Sequence, residues 1–223
     1  IFTSLRGRSL SYLLLPFSFK EFLRAKQCIF GKHLSSEEKK QLLKYFDEYL
    51  EFGGFPEVVA ESNTEQKIKN LESYFELTVY KDIVERYKIR DSAFVKWFLK
   101  SLASSYTKEI SFNKIYLTLK SQGRKISKDE LYSYSSVVED SLFAFYLPKF
   151  STSVRKREPV SKVYLCDTGY AKLAETQEDI GKKMENAVFL ELLRRKTPLF
   201  EYFFWKNQQQ EEVDFVVKKG RVV

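Results

Sequence analysis

Apolar positions along this chain keep two rhythms, and each change of rhythm marks a change of element. Leu42, Leu43, Phe46 and Leu50 follow helical spacing, which predicts a helix with one buried stripe. Ser35 and Glu38 form a capping box at its start, and Gly53-Gly54-Phe55-Pro56 stops it. The glycines supply the turn and the proline prevents continuation. Ser18 is placed to cap a shorter helix over Phe19 to Lys26, and Ile68, Leu71, Phe75, Val79 and Ile83 predict one long helix from about Thr64 to Tyr87. Residues 1–90 read as a first, helical unit.

The same reasoning divides residues 91–169. Phe94, Trp97, Phe98 and Leu102 make one helical stripe; Phe112, Ile115, Tyr116 and Leu119 make a second behind Ser111. Gln122-Gly123-Arg124 turns the chain, and Ser127 with Glu130 caps a third helix holding Leu131, Tyr134 and Val138 inward. Two strands follow, Phe143 to Phe150 and Lys162 to Cys166, joined by a loop with Arg155, Lys156 and Arg157. Three helices with a basic β-loop predict a winged helix-turn-helix. Such a unit enters the major groove and braces on phosphates. Arg124, Lys125 and Lys128 stand near the start of its third helix, and with the loop cluster they are the candidate phosphate contacts. The exposed positions of that helix, Ser133, Ser136, Glu139 and Asp140, include no arginine to read guanine. A winged helix that only joins its neighbours is the other reading.

Residues 170–223 carry the most informative stretch. After Gly181, Met184, Val188 and Leu192 recur at helical spacing, and Glu185 shares a face with Val188, Phe189 and Leu192. Glu191 stands four residues before Arg195, an ordinary exposed pair. Tyr202 to Lys206 reads as an aromatic strand, Asn207 to Gln210 as a turn and Glu212 to Val217 as the return strand. Period two puts Glu212, Asp214 and Val216 on one face. A helix glutamate and hairpin carboxylates that converge suit Mg²⁺, a hard cation that takes oxygen ligands. The plainer alternative pairs Glu185 with Lys182, or leaves it as a cap, and pairs Asp214 with Lys218 or Lys219.

Composition narrows the chemistry. The 223 residues are 43% hydrophobic and 30% charged, with a net charge of +8. That balance favours an acidic partner, nucleic acid first. The single histidine, His33, sits before a helix cap, which removes His-centred catalysis from consideration. Cys28 and Cys166 have no metal-ligand spacing, and a reduced, cytoplasmic setting is expected. No apolar run approaches the ~20 residues of a membrane span. The chain opens at Ile1 and its one methionine is Met184, so a fragment of a longer protein is expected.

The terminal stretch, E-N-x-V-F-L-E-L-x-R-R, an aromatic strand, then E-V-D-F-V-V, resembles the restriction-endonuclease-like, PD-(D/E)xK-type module. That module closes a family of archaeal and bacterial AAA+-superfamily ATPases. The earlier pieces, L-R-G-R-S-L, L-P-F-S-F-K-E-F, Y-L-x-F-G-G-F-P-E and Y-K-D-I-V-E-R, resemble the end of the ATPase core and its helical lid in the same order. The resemblance implies that Glu185 and Asp214 are nuclease-type acids, with Glu212 a possible third metal ligand. It also implies ATP and Mg²⁺ as cofactors of the full-length protein and a homo-oligomer formed through the ATPase part. Arg6 and Arg8 are the candidate phosphate-sensing cations. No G-x-x-x-x-G-K-[ST] loop occurs in the chain, and the strand expected to carry an E-x-K pair lies past Val223. This fragment is therefore expected to bind neither cofactor tightly and to be inactive alone.

The expectation is an α+β, mostly helical protein. It joins a helical ATPase lid (1–90), a winged helix (91–169) and part of a nuclease-like module (170–223). Its function would be ATP-driven action on DNA or a DNA-associated partner. The alternative is a non-catalytic winged-helix adaptor or assembly module.

Overall fold

The computed structural model describes residues 12–31, 33–151, 160–174 and 179–220. Arg6, Arg8, Arg155, Lys156 and Arg157 lie outside these. The fold is α+β and mostly helical, with two small antiparallel sheets.

The first helices start where their caps require. In α1 (Phe19–Ala25) and α2 (Ser36–Phe52), Ser18 and Ser35 accept from the N3 backbone amide while Glu21 and Glu38 accept from the cap amide. Gly53 ends α2 at φ 79°, a left-handed value open to glycine without strain. After the short α3 (Pro56–Ala60), α4 (Thr64–Leu77) begins the long helix.

That helix changes its winding part-way. Thr78–Glu85 forms π-helical turns, where a continuous α-helix was expected. The reason lies in the spacing. Leu71, Phe75, Val79 and Ile83 are all buried and all four apart. On 3.6-residue turns such a series drifts by about 40° per step. Wider turns keep it facing one core.

The middle elements keep the predicted order of three helices and two strands, α5 (Ser92–Ser104), α6 (Phe112–Ser121), α7 (Lys128–Asp140), β2 (Ala144–Pro148) and β3 (Val160–Leu165), with one strand that was not expected, β1 (Glu109–Ser111), between α5 and α6. The two later strands are shorter than expected at Phe143–Phe150 and start earlier than Lys162, respectively. The sheet runs β1-β3-β2, antiparallel throughout, so β3 is central. A 3₁₀ segment (Thr168–Ala174) leads toward α8 (Ile180–Arg194), then β4 (Phe200–Lys206) and β5 (Glu212–Lys219) pair as a hairpin.

The α8 face differs from the expected one. Lys183, Asn186, Phe189 and Leu190 are buried, whereas Met184 and Val188 are 46% and 48% exposed. Asp179 caps the helix and Gly181 lies inside it. The stripe is turned because α8 packs on β3 with Asn186 and Phe189, leaving Met184 and Val188 toward a groove beside Phe19 and Phe46.

Two cores result from the alternation along β3. Val163 and Leu165 join the large cluster that includes Leu71, Phe75, Phe98 and Leu131. Tyr164 points the other way, with Leu147, Phe189, Leu190 and Phe204. Among the described residues no helix is long and apolar enough to cross a membrane.

Candidate functional site

Lys162 sits on the Tyr164 face of β3, and its side chain is only 4% exposed. An ammonium cannot be buried at tolerable cost unless it is paired. Here the pairing is complete. Nζ lies 2.9 Å from Glu185 Oε1 on α8 and 2.7 Å from Asp214 Oδ1 on β5, and it also contacts Glu212. The three N–H donors of a lysine thus have three carboxylates to meet. The Tyr164 hydroxyl donates to the same Glu185 Oε1 at 2.7 Å. The Phe204 ring lies 5.8 Å from the ammonium.

A second lysine extends the network. Lys206, at the end of β4, lies 3.3 Å from Glu212 and 2.9 Å from Glu109 on β1. Five strands or helices, β1, β3, α8, β4 and β5, therefore meet through two ammonium groups and four carboxylates.

The titration of each group follows from its position. Burial works against the charge of Lys162, yet the three carboxylates together raise its pKa above the ordinary lysine value. Burial also raises the Glu185 carboxyl, against the opposing pull of Tyr164 and Lys162. Glu212 feels the same burial penalty, but Lys162 and Lys206 bring it below the usual value. Burial, then the Glu185 charge, pushes the Tyr164 phenol up.

The three predicted acids, Glu185, Glu212 and Asp214, are therefore brought together. The plainer pairings are not the ones formed: Lys182 lies 3.1 Å from Asp179, and Lys218 lies 2.9 Å from Glu201. Glu191 does pair with Arg195, at 3.3 Å. Lys162 and Tyr164 were not singled out in the sequence. The available signal was a charged residue one position before the V-Y-L-C run, on the Tyr164 face of the same strand, where burial would demand a partner.

The donor set has the chemistry a magnesium ion takes, but the arrangement does not fit one. The ammonium stands where the three carboxylates converge and draws an oxygen from each. Among the described residues, no group of three or more His, Cys, Asp or Glu is placed to hold a metal ion.

The candidate phosphate contacts are divided. Arg124 is engaged by Asp91, and its guanidinium lies 4.4 Å from the Phe94 ring centroid. It fastens the turn before α7 onto α5. Lys125 is exposed on that turn, and Lys128 is exposed with its ammonium 5.3 Å from the Tyr116 ring.

A second buried polar junction ties α2 to the segment after β3. Asp167 accepts from the Gly54 amide at 2.7 Å and the Gly169 amide at 2.8 Å. Burial pushes its carboxyl up to about 7, the two amides only partly opposing. A Cβ on Gly53 would lie 1.5 Å from Asp167 Oδ1, and one on Gly54 would lie 2.2 Å from the Phe17 carbonyl oxygen. The Thr168 hydroxyl donates to the Tyr49 carbonyl at 3.0 Å. Nearby, the fully buried Asn186 both accepts from the Leu165 amide at 2.8 Å and donates to its carbonyl at 3.0 Å.

These features define an α+β protein whose polar junctions join three stretches of one chain. The chain belongs to the family described as Domain of unknown function (DUF8612), which matches residues 43–179. Residues 180–223 match Domain of unknown function (DUF4143), a domain found in AAA-ATPase-associated proteins. An uncharacterised protein of Methanocaldococcus jannaschii is 37% identical over 217 residues, covering 97% of this chain and 49% of its own length. An uncharacterised protein of Haemophilus influenzae is 28% identical over 224 residues, covering 98% of this chain and 52% of its own. The chain thus spans about half the length of the curated relatives it matches. No solved structure matches it.

Proposed function

We propose that this chain is part of an AAA+-type ATP-binding protein acting on DNA or a DNA-associated partner, and that within it the chain is a non-catalytic adaptor. On this reading residues 91–169 are a winged helix that touches nucleic acid, and the nuclease-like module from 170 onward holds position rather than cutting. The observation that carries the reading is the contact of Lys162 with Glu185, Glu212 and Asp214. Carboxylates spent on an internal ammonium are not free to organise a metal-bound water. The helix order α5-α6-α7 and the strand order β1-β3-β2 support the winged-helix part, as does the net charge of +8.

The test uses supercoiled plasmid and a labelled duplex. With Mg²⁺ or Mn²⁺ present, no nicking is expected from this chain. Duplex binding is expected to be weak, tolerant of sequence and steeply salt-dependent, because lysine–phosphate contacts release counterions. Replacing Lys125 and Lys128 with alanine should weaken binding alike for all sequences. Metal-dependent nicking lost in Asp214→Asn would return the module to the nucleases. Binding unchanged by the double substitution would leave the middle unit as a joint alone.

A further inference from the structure

The acids of the cluster and the cation they hold come from different stretches of the chain. Glu185, Glu212 and Asp214 all lie within residues 180–223, and Lys162 lies within 43–179. Lys206 makes the reverse exchange, reaching from the terminal stretch to Glu109 of the other. Each stretch supplies a cation to the carboxylates of its neighbour.

We propose that the three carboxylates of the terminal stretch form a cation socket filled by Lys162, and that this delivered ammonium, in place of a metal ion, fastens the β4–β5 hairpin to the β1-β3-β2 sheet. The inference does not rest on what the middle unit binds.

Physical reasoning supports a fastening role over an incidental contact. A lone two-stranded hairpin is marginal in water. Among the described residues β5 pairs with β4 alone, and Val213 and Val217 on it are 47% and 41% exposed. The hairpin otherwise grips the rest of the molecule through Phe204, Tyr202 and Phe215 in the small core with Tyr164 and Phe189, and through a bridge just past β2, where Lys149 pairs with Phe204, the Phe150 amide donates to the Phe204 carbonyl at 2.6 Å and the Phe150 and Phe203 rings meet. Lys162 enters at the edge of that small core, with its ammonium over the Phe204 ring. Without the ammonium, three like charges would face one another beside an apolar surface, and like charges at such range repel. Among the described residues, Glu109 and Lys206 are further charged groups in contact with the network, and Tyr164 donates to it through its hydroxyl.

The experiment compares this chain with its Lys162→Met variant, by thermal melting with and without Mn²⁺ and by amide hydrogen exchange over residues 200–219. The variant should melt about 5 °C or more below the parent. Its hairpin amides should exchange at least about tenfold faster, equivalent to about 1.4 kcal/mol of lost protection. Mn²⁺ should raise the melting temperature of the variant and leave the parent unchanged, and adding Asp214→Asn to the variant should abolish the Mn²⁺ effect. Melting and exchange equal to the parent's would overturn the proposal. So would an Asp214-dependent Mn²⁺ stabilisation of the parent, since the socket would then admit metal with Lys162 in place. Should Lys162→Met fail to fold, the single variant Asp214→Asn decides. Its half-exposed carboxylate can be neutralised without emptying the socket, so the chain should fold with severalfold faster exchange across the hairpin. Unchanged exchange there would equally overturn the proposal.

Discussion

The two polar junctions of this molecule solve the same problem by opposite means. Around Asp167, one buried carboxylate meets two backbone amides, and the partners are held by close backbone approach: Gly54 against Phe17, Gly169 against Phe52. Around Lys162, long side chains from several elements meet through ionic contacts, and Asp214 is half-exposed. The first junction depends on shape and tolerates no added atom. The second depends on charge balance and reaches solvent. Burial therefore sets a different vulnerability at each: the first to side-chain size and pH, the second to loss of a charge and to salt.

Shape dependence gives the largest expected effect. Gly54→Ala would place a Cβ 2.2 Å from a backbone oxygen, and backbone cannot step aside as a flexible side chain can. A loss of about 3 kcal/mol or more is expected by urea unfolding. A loss below about 1 kcal/mol would show that the junction is looser than its contacts. The corresponding change at the charged junction, Lys162→Met, has its expected outcome above.

A pH effect should sharpen the contrast next. The Asp167 carboxyl is raised in the fold, so the folded state keeps a proton that the unfolded chain releases near its ordinary pKa of about 3.9. Stability should therefore fall as pH rises from about 4 to about 7, by up to an order of 4 kcal/mol. Asp167→Asn should flatten this part of the profile. It should also lose one of the two amide contacts, because the amide nitrogen cannot accept. Glu212, whose pKa is lowered, acts in the opposite sense: its contribution is present above the ordinary carboxylate range and fades as pH falls through the folded value. A parent profile that is flat between pH 4 and pH 7, and matched by Asp167→Asn, would remove the distinction.

The smallest effect belongs to the outer charge link. Lys206→Ala removes the contacts to Glu109 and Glu212, groups that are partly exposed. A cost of about 0.5 to 1 kcal/mol is expected, shrinking in high salt. A salt-insensitive cost would place its origin in packing of the lysine stem.

Much of the frame was legible because local rules determine it. Ser18, Ser35 and Ser127 cap the helices they were expected to cap, and the order of elements through residues 91–169 follows the apolar rhythm. The face of α8 was misread because Met184 and Val188 are apolar, while the buried Lys183 and Asn186 are polar; burial of Asn186 follows hydrogen bonding to β3 rather than hydropathy. The π-helical turns escaped because a four-residue spacing resembles an ordinary helical stripe until its drift is followed through Ile83. Period two put Glu212 and Asp214 on one strand face, and their meeting with Glu185 was what the resemblance to the nuclease-like module implied. What holds them was not foreseen, since Lys162 precedes Glu185 by 23 residues and Asp214 by 52. Nothing local marks a pairing over such a separation.

The hydrogen bonds of Asn186 bear on how the sheet meets its surroundings. β1 pairs with β3 only from Val160 to Lys162, and the Leu165 amide and carbonyl are taken by the Asn186 side chain. A side-chain amide presents an N–H donor beside a carbonyl acceptor, as a peptide group does, so Asn186 stands in for a residue of a neighbouring strand. An open strand edge is a template for aggregation or strand exchange. Here α8 closes that position with a single residue, which makes its docking a safeguard against unwanted pairing of the central strand.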